Sequence, residues 1–217
     1  MTMMTSRSSE AIVDDLVARL APVRRRRAWQ DGALVIGFAA LELILVITMT
    51  RPRPDLLVAM HGPMFWWKMA SCLTLATTCG TAAVLALDPA GSPRRWWWGL
   101  AGVAAVAVAV LFGTSITMPE GLMARLQWRD GIACASLTLA YAVPMAILLT
   151  WLARRAAPTR PRLVAWAVGL SSAGWAAFAF AWTCWHDDPL YVVVWYGSAV
   201  LACTVLARTM LVRWIKW

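Results

Sequence analysis

The stretch "TCWHDDP", residues 183 to 189, sets one thiol, one imidazole and two carboxylates between two long apolar runs. Cys184 and His186 are ligand types suited to zinc, copper or cadmium-like ions. A second cysteine, Cys134, opens another apolar run far upstream, and the chain's other histidine, His61, precedes a third. Two thiols and an imidazole gathered by neighbouring helices would make a metal site, with Asp187, Asp188 and His61 as further ligand candidates. Two thiols alone would make a redox pair. No CxxC or HxxxH spacing supports either reading. The plain alternative is a polar turn in which Asp188 caps the next helix and Pro189 takes its first position. Residue types leave all three open.

A second group is set apart by its surroundings. Glu42 stands in the middle of "AALELILVIT". A carboxyl at the centre of an apolar run is costly unless paired or protonated, so it marks either a proton-coupled transport path or a glutamate hydrogen-bonded to Ser or Thr on a neighbouring helix. No nucleophile–base pair, phosphate loop or HExxH occurs. An enzyme is therefore not expected. A quinone-linked thiol oxidoreductase using Cys134 and Cys184 would want a closely spaced dithiol, which the sequence lacks.

The elements that must position these groups are transmembrane helices. The 217 residues are 61% hydrophobic and 14% charged, against about 25% charged in a soluble domain. Leu, Val and Ala run in stretches of roughly twenty, enough to cross the ~30 Å hydrocarbon layer. They lack the two-residue alternation of barrel strands. The expected fold is all-α: a polytopic six-helix bundle over residues 31–217, with spans near 32–49, 65–87, 96–117, 132–153, 163–183 and 190–210. No cleavable signal peptide is expected, because the first residues are polar.

Six spans put both termini on one side. That side would carry fifteen of the twenty Lys and Arg residues, among them Arg24, Arg25, Arg154, Arg155 and Arg213. Such an excess marks the cytoplasmic face of a bacterial inner membrane. The net charge of +9 then reflects topology and attraction to anionic lipid, not nucleic acid, for which no motif is present. Cys134, Cys184, His186 and His61 would lie at the outer, oxidising face, where a disulfide can form. Cys72, Cys79 and Cys203 fall inside spans and read as small hydrophobes. Tryptophans at the span ends read as interfacial anchors. Gly99 and Gly102, Gly169 and Gly174, and Ser198 and Ala202 suit close helix packing.

Residues 1–30 form a separate cytoplasmic segment. Within "EAIVDDLVARLA", Ile12, Leu16 and Leu20 recur at i, i+4 and i+8, with Asp14 and Asp15 on other faces. This predicts an amphipathic helix over 10–21, closed by Pro22 and an arginine run. So short a helix is marginal alone and needs a surface, either membrane or protein.

Several stretches together resemble the NrsF-type bacterial anti-sigma factors: "DDLVARLAPVRRRR" before the first span, "RPRPDL" after it, "GIACASLTLAYAVPMAILLTWLARRAAPTRPRLVAW" and "TCWHDDPLYVVVWYGSAVL". The resemblance covers nearly the whole chain in order. It implies a six-span inner-membrane protein that sequesters an extracytoplasmic-function (ECF) sigma factor through its N-terminal segment. Release follows heavy-metal or oxidative stress sensed by two outer-face cysteines. Those cysteines correspond to Cys134 and Cys184, with His186 as a further metal ligand. The sigma-binding residues would be Ile12, Asp14, Asp15, Leu16, Leu20, Arg24 and Arg25. No cofactor is obligatory; a heavy-metal ion would bind transiently. The family pattern leads one to expect a histidine directly before the second cysteine. Thr183 stands there instead, and His186 follows. The rival functions are a small proton-coupled transporter using Glu42 and a membrane thiol oxidoreductase.

Overall fold

The computed structural model describes residues 9–18, 27–87, 96–117, 121–156, 158 and 160–215. Its described elements are all helical. They are α1 (Ser9–Ala18), α2 (Ala28–Thr50), α3 (Leu56–Ala59), α4 (Pro63–Leu85), α5 (Trp96–Thr117), α6 (Leu122–Leu126), α7 (Trp128–Ala156), α8 (Pro161–Ala181), α9 (Pro189–Tyr191) and α10 (Gly197–Ile215), with a π-helical turn at Val192–Tyr196 joining α9 to α10. α2, α4, α7, α8 and the α9–α10 unit are long and apolar enough to cross a membrane. α5 is the sixth apolar helix, and its described side chains cover Trp98–Thr114.

Local signals explain where the elements start. Pro63 and Pro161 stand in the first turns of α4 and α8, where a missing N–H costs nothing. Asp188 accepts from the Leu190 N–H at 2.8 Å and Pro189 follows it, which is the cap read from the sequence. α7 starts at Trp128 rather than near 132, because Gln127 takes a left-handed conformation (φ 41°) that separates α6 from α7.

α8 is the axis. Most of its residues are buried, and it packs against α4, α7 and α10. Small side chains make this possible. A Cβ on Gly174 would lie 2.9 Å from the Ala76 backbone nitrogen, and one on Gly169 would lie 2.7 Å from the Thr204 Cα. Backbones this close gain dispersion contacts in a solvent that offers helices no hydrophobic drive to associate. Ser171 adds a hydrogen bond across the contact, its Oγ donating to the Ala76 carbonyl at 3.2 Å. Gly99 abuts Thr78, whereas Gly102 meets nothing and Ser198 faces outward. The expected packing motif therefore holds at Gly99, Gly169 and Gly174 only.

Two apolar clusters lie along the bundle. One gathers Cys79, Met145, Leu149, Val164 and Val168. The other gathers Phe65, Cys72, Cys134, Phe180, Cys184, Tyr191 and Trp195. Trp66, Trp98, Trp128, Trp185 and Trp214 are exposed at or near helix ends, as an interfacial belt requires.

α2 is loosely seated: Glu42 and Val46 are its buried residues. Glu42 faces the Trp175 indole of α8, not the Ser or Thr expected for it.

Replacing Gly174 by Leu should lower the stability of the detergent-solubilised protein by about 2 kcal/mol or more through overpacking against α4. Gly102→Ala should stay within about 0.5 kcal/mol. Thermal unfolding followed by tryptophan fluorescence checks both.

Candidate functional site

After α8 ends at Ala181, the Thr183 and Cys184 N–H groups both donate to the Phe180 carbonyl, at 2.9 and 3.1 Å. The chain therefore turns tightly and points Cys184 back toward α7. Cys134 lies two turns into α7, and the two sulfurs stand 3.7 Å apart. Both are buried, and all five cysteines are free thiols. The Tyr191 hydroxyl donates to the Cys134 Sγ at 3.0 Å. His186 stacks on the Tyr191 ring, centroids 4.3 Å apart. Its Nε2 bonds to the Gln127 Oε1 at 2.6 Å, and its Nδ1 is buried without a partner. The Cys134 and Cys184 sulfurs and one His186 nitrogen all lie within 4.8 Å of one another.

This arrangement can do two kinds of chemistry. The sulfurs are near enough to join as a disulfide once they close to about 2.05 Å. They are also spaced for a shared ion, since two thiolates at 2.3 Å from a tetrahedral metal lie about 3.8 Å apart. His186 would supply a third ligand, with Nε2 engaged by Gln127 and Nδ1 spare.

Asp187 and Asp188 do other work. Lys68, fully buried on α4, donates to the Cys184 carbonyl (3.1 Å), the His186 carbonyl (3.1 Å) and Asp187 Oδ1 (2.6 Å). Its three protons thus meet three acceptors. Arg53, also buried, donates to Asp187 Oδ2 at 2.7 Å, to the Cys184 and Trp185 carbonyls at 3.3 and 3.1 Å, and through a fork to both oxygens of Asp55 at 2.7 Å. Arg125 on α6 forks onto both oxygens of Asp188 at 2.7 Å. The two carboxylates are counterions that hold the turn, outside the cluster of possible ligand atoms. His61 is exposed, and its Nδ1 bonds to the Leu57 carbonyl at 2.7 Å; it too stands apart from the thiols.

Electrostatics follows from these contacts. The hydrogen bond from Cys134 is the largest influence on Cys184. With His186, the Lys68 ammonium and Tyr196 it outweighs burial and holds this thiol below the ordinary thiol range. For Asp188, burial pushes upward, but the Arg125 fork and the Leu190 N–H prevail and keep the carboxyl below its usual range.

Sequence reasoning missed Lys68, Arg53, Arg125, Tyr191 and Gln127. A signal was available for the cations: charges at the mouths of apolar runs need counterions, and Asp55, Asp187 and Asp188 stand in the turns on that side. Gly131 was missed as well. A Cβ there would lie 2.0 Å from the Trp195 ring, whose Nε1 donates to the Leu126 carbonyl at 2.7 Å. Of the N-terminal candidates, Asp14 and Asp15 are exposed on α1. The side chains of Ile12 and Leu16, and all of Leu20, Arg24 and Arg25, lie outside the described residues.

A groove of about 680 Å³ runs between α7 and α10, is lined almost wholly by apolar side chains, and reaches Cys203 and Arg154. Fold and site thus define a helical membrane protein with a buried, oxidisable thiol pair at one end of its bundle. Residues 16–217 match the family model NrsF, negative regulator of sigma F, and the chain belongs to that family. It is 36% identical over 220 residues to the anti-sigma-F factor NrsF of Caulobacter vibrioides, covering 93% of this chain and 99% of that one. It is 28% identical over 215 residues to the probable anti-sigma-F factor NrsF of Azospira oryzae, covering 95% and 99%. No solved structure matches. The family is regulatory, not enzymatic, which decides against the thiol oxidoreductase reading.

Two outcomes follow from the site. Lys68→Met should cost about 3 kcal/mol or more in thermal unfolding, because Asp187 and two carbonyls lose a buried cation. Because Cys184 titrates below an ordinary thiol, its thiolate persists as pH falls. A small alkylating reagent at pH 6 to 7 should therefore label Cys184 before Cys72, Cys79 or Cys203, as peptide mass spectrometry would read.

Proposed function

We propose that this protein is a membrane-bound anti-sigma factor. It sequesters an ECF sigma factor through its N-terminal segment and releases it when an oxidant or a thiophilic metal ion engages Cys134 and Cys184. In this reading the chain lies in the bacterial inner membrane with both termini cytoplasmic and the thiol pair at the periplasmic face. The observation that carries it is the 3.7 Å separation of two buried sulfurs contributed by different helices.

The N-terminal helix supplies the output. α1 spans Ser9–Ala18, and Val13 and Val17, beside the apolar stripe, are more than half exposed. An isolated ten-residue helix with apolar side chains in water is an open docking surface. Asp14 and Asp15 suit the basic character of a DNA-binding sigma domain.

The switch must be strong. Moving a partner from 99% bound to 99% free takes on the order of 5 kcal/mol of difference between two states. A disulfide or a metal–thiolate bond can supply this, whereas a surface ion pair cannot. A disulfide acts by drawing the Cys184 turn and the start of α7 together, whereas a metal ion would bridge them near their present 3.7 Å spacing.

Affinity purification of the tagged full chain from its own membranes, before and after diamide or cadmium treatment, tests the reading. The sigma factor should accompany the untreated protein and be lost after treatment. Cys134→Ser and Cys184→Ser should keep it under both conditions. Leu16→Asp should lose it without any stress. Full release from either cysteine variant would rule out the thiol switch, and no sigma factor under any condition would rule out the anti-sigma role for this chain.

A further inference from the structure

Joining two sulfurs at one end of a bundle changes nothing at the other end unless some group that moves with them also holds an element reaching across. α4, α7 and α10 all pack along α8, so a small displacement of the turn meets a close-packed wall that resists it. α2 differs. Only Glu42 and Val46 are buried among its 23 residues, so little along its length fixes its position. It begins at Ala28, directly after the N-terminal segment.

The far end of α2 is, by contrast, tightly held. α2 stops at Thr50, and Arg51 adopts a positive φ of 59°. Two residues on, the Arg53 N–H donates to the Trp182 carbonyl at 3.2 Å. Its guanidinium binds the carbonyls of Cys184 and Trp185 and the Asp187 carboxylate. The Arg53 side chain is only 4% exposed. Pro52 and Pro54 flank it, and their fixed φ angles stiffen the short link back to the helix. The guanidinium fork holds several acceptors in one plane, which a point-charge ammonium would not do.

We propose that Arg53 is the coupling residue through which the Cys134–Cys184 pair acts on α2, and through α2 on the N-terminal segment. This rests on the thiol-switch reading above. When an oxidant such as diamide takes up two electrons and two protons, one from the Cys134 S–H and one from solvent if Cys184 is already a thiolate, one S–S bond forms. The sulfurs must then close from 3.7 Å to about 2.05 Å. Cys134 is built into α7, so the Cys184 turn yields. Arg53, bonded to that turn at three points, is carried with it and shifts the end of α2. Lys68 is not part of this path. It ties the same turn to α4, so the thiols stay placed when Arg53 is removed.

The full-length chain is compared in native membranes as wild type, Arg53→Gln and Arg53→Lys, each with and without diamide. Non-reducing peptide mass spectrometry gives the fraction with Cys134 joined to Cys184. Co-captured sigma factor is scored per cross-linked molecule, so slower oxidation does not enter. In wild type, cross-linking should lower retained sigma factor by about tenfold or more. Arg53→Gln should bind sigma factor normally when reduced, form the disulfide, and retain sigma factor within about twofold of its reduced level. Should Arg53→Gln not accumulate in the membrane, Arg53→Lys decides by the same two readouts, since it keeps the charge and loses the fork. Wild-type release from cross-linked Arg53 variants would overturn the coupling role and leave the thiol switch standing. A wild type that cross-links and keeps its sigma factor would overturn both.

Discussion

The Asp187 carboxylate is shared between two cations that have almost no other contact with water. One oxygen takes the Lys68 ammonium at 2.6 Å and the other the Arg53 guanidinium at 2.7 Å. Asp187 itself keeps some access to solvent, which lessens the cost of desolvating the cluster. A buried ion pair of this kind adds little net stability, because desolvation offsets most of the attraction, yet removing one member is expensive. Its effect is geometric. The same two cations also bind the carbonyls of Cys184, Trp185 and His186, so the turn that carries one thiol is held at several points. It is referred at once to α4 through Lys68 and to the end of α2 through Arg53.

The remainder of the bundle supplies a fixed frame for that turn. α8 passes through both apolar clusters, and its small residues let α4 and α10 approach to backbone contact. A frame packed this way is stiff, and motion must be found where packing is sparse. Two places qualify. α2 lies on the surface of the bundle with few buried residues. The π-helical turn at Val192–Tyr196 interrupts the last helix beside the site, between Tyr191, which bonds to Cys134, and Gly197. Irregular helix of this type is often retained at functional sites.

The thiol pair combines burial with activation. Each thiol is largely removed from solvent, which excludes bulky reagents. Cys184 is set apart as the readier nucleophile by the hydrogen bond from Cys134 and by the Lys68 ammonium. The cation that fixes the geometry therefore also tunes the chemistry. Asp188, paired with Arg125, keeps α6 against the start of the last helix, and His186 is held between Tyr191 and Gln127. The polar residues of the turn thus divide between candidate ligands and braces.

The sequence by itself determined the class of protein. Apolar runs of membrane length, the sparse charge and the tryptophans at run ends leave a helical membrane bundle as the solution, because hydrocarbon forces every backbone group to be satisfied within the segment. Asp188 and Pro189 likewise announced the helix they begin, since capping is a contact between neighbours in sequence. The N-terminal helix was legible from its spacing, and its backbone is helical over Ser9–Ala18. What only the tertiary structure decided is every relation between distant residues. Cys134 and Cys184 were candidates by type, but their 3.7 Å contact arises from how α7 meets the end of α8. His186 joined them while His61, the same residue type, did not. Asp187 and Asp188 looked like ligands beside a thiol and proved to be counterions. Lys68 and Arg53 stand at the ends of apolar runs in sequence, and in space they form the buried centre of the site. Charge pairing of this kind depends on distance through space and on exclusion of water, and neither is written in the order of residues.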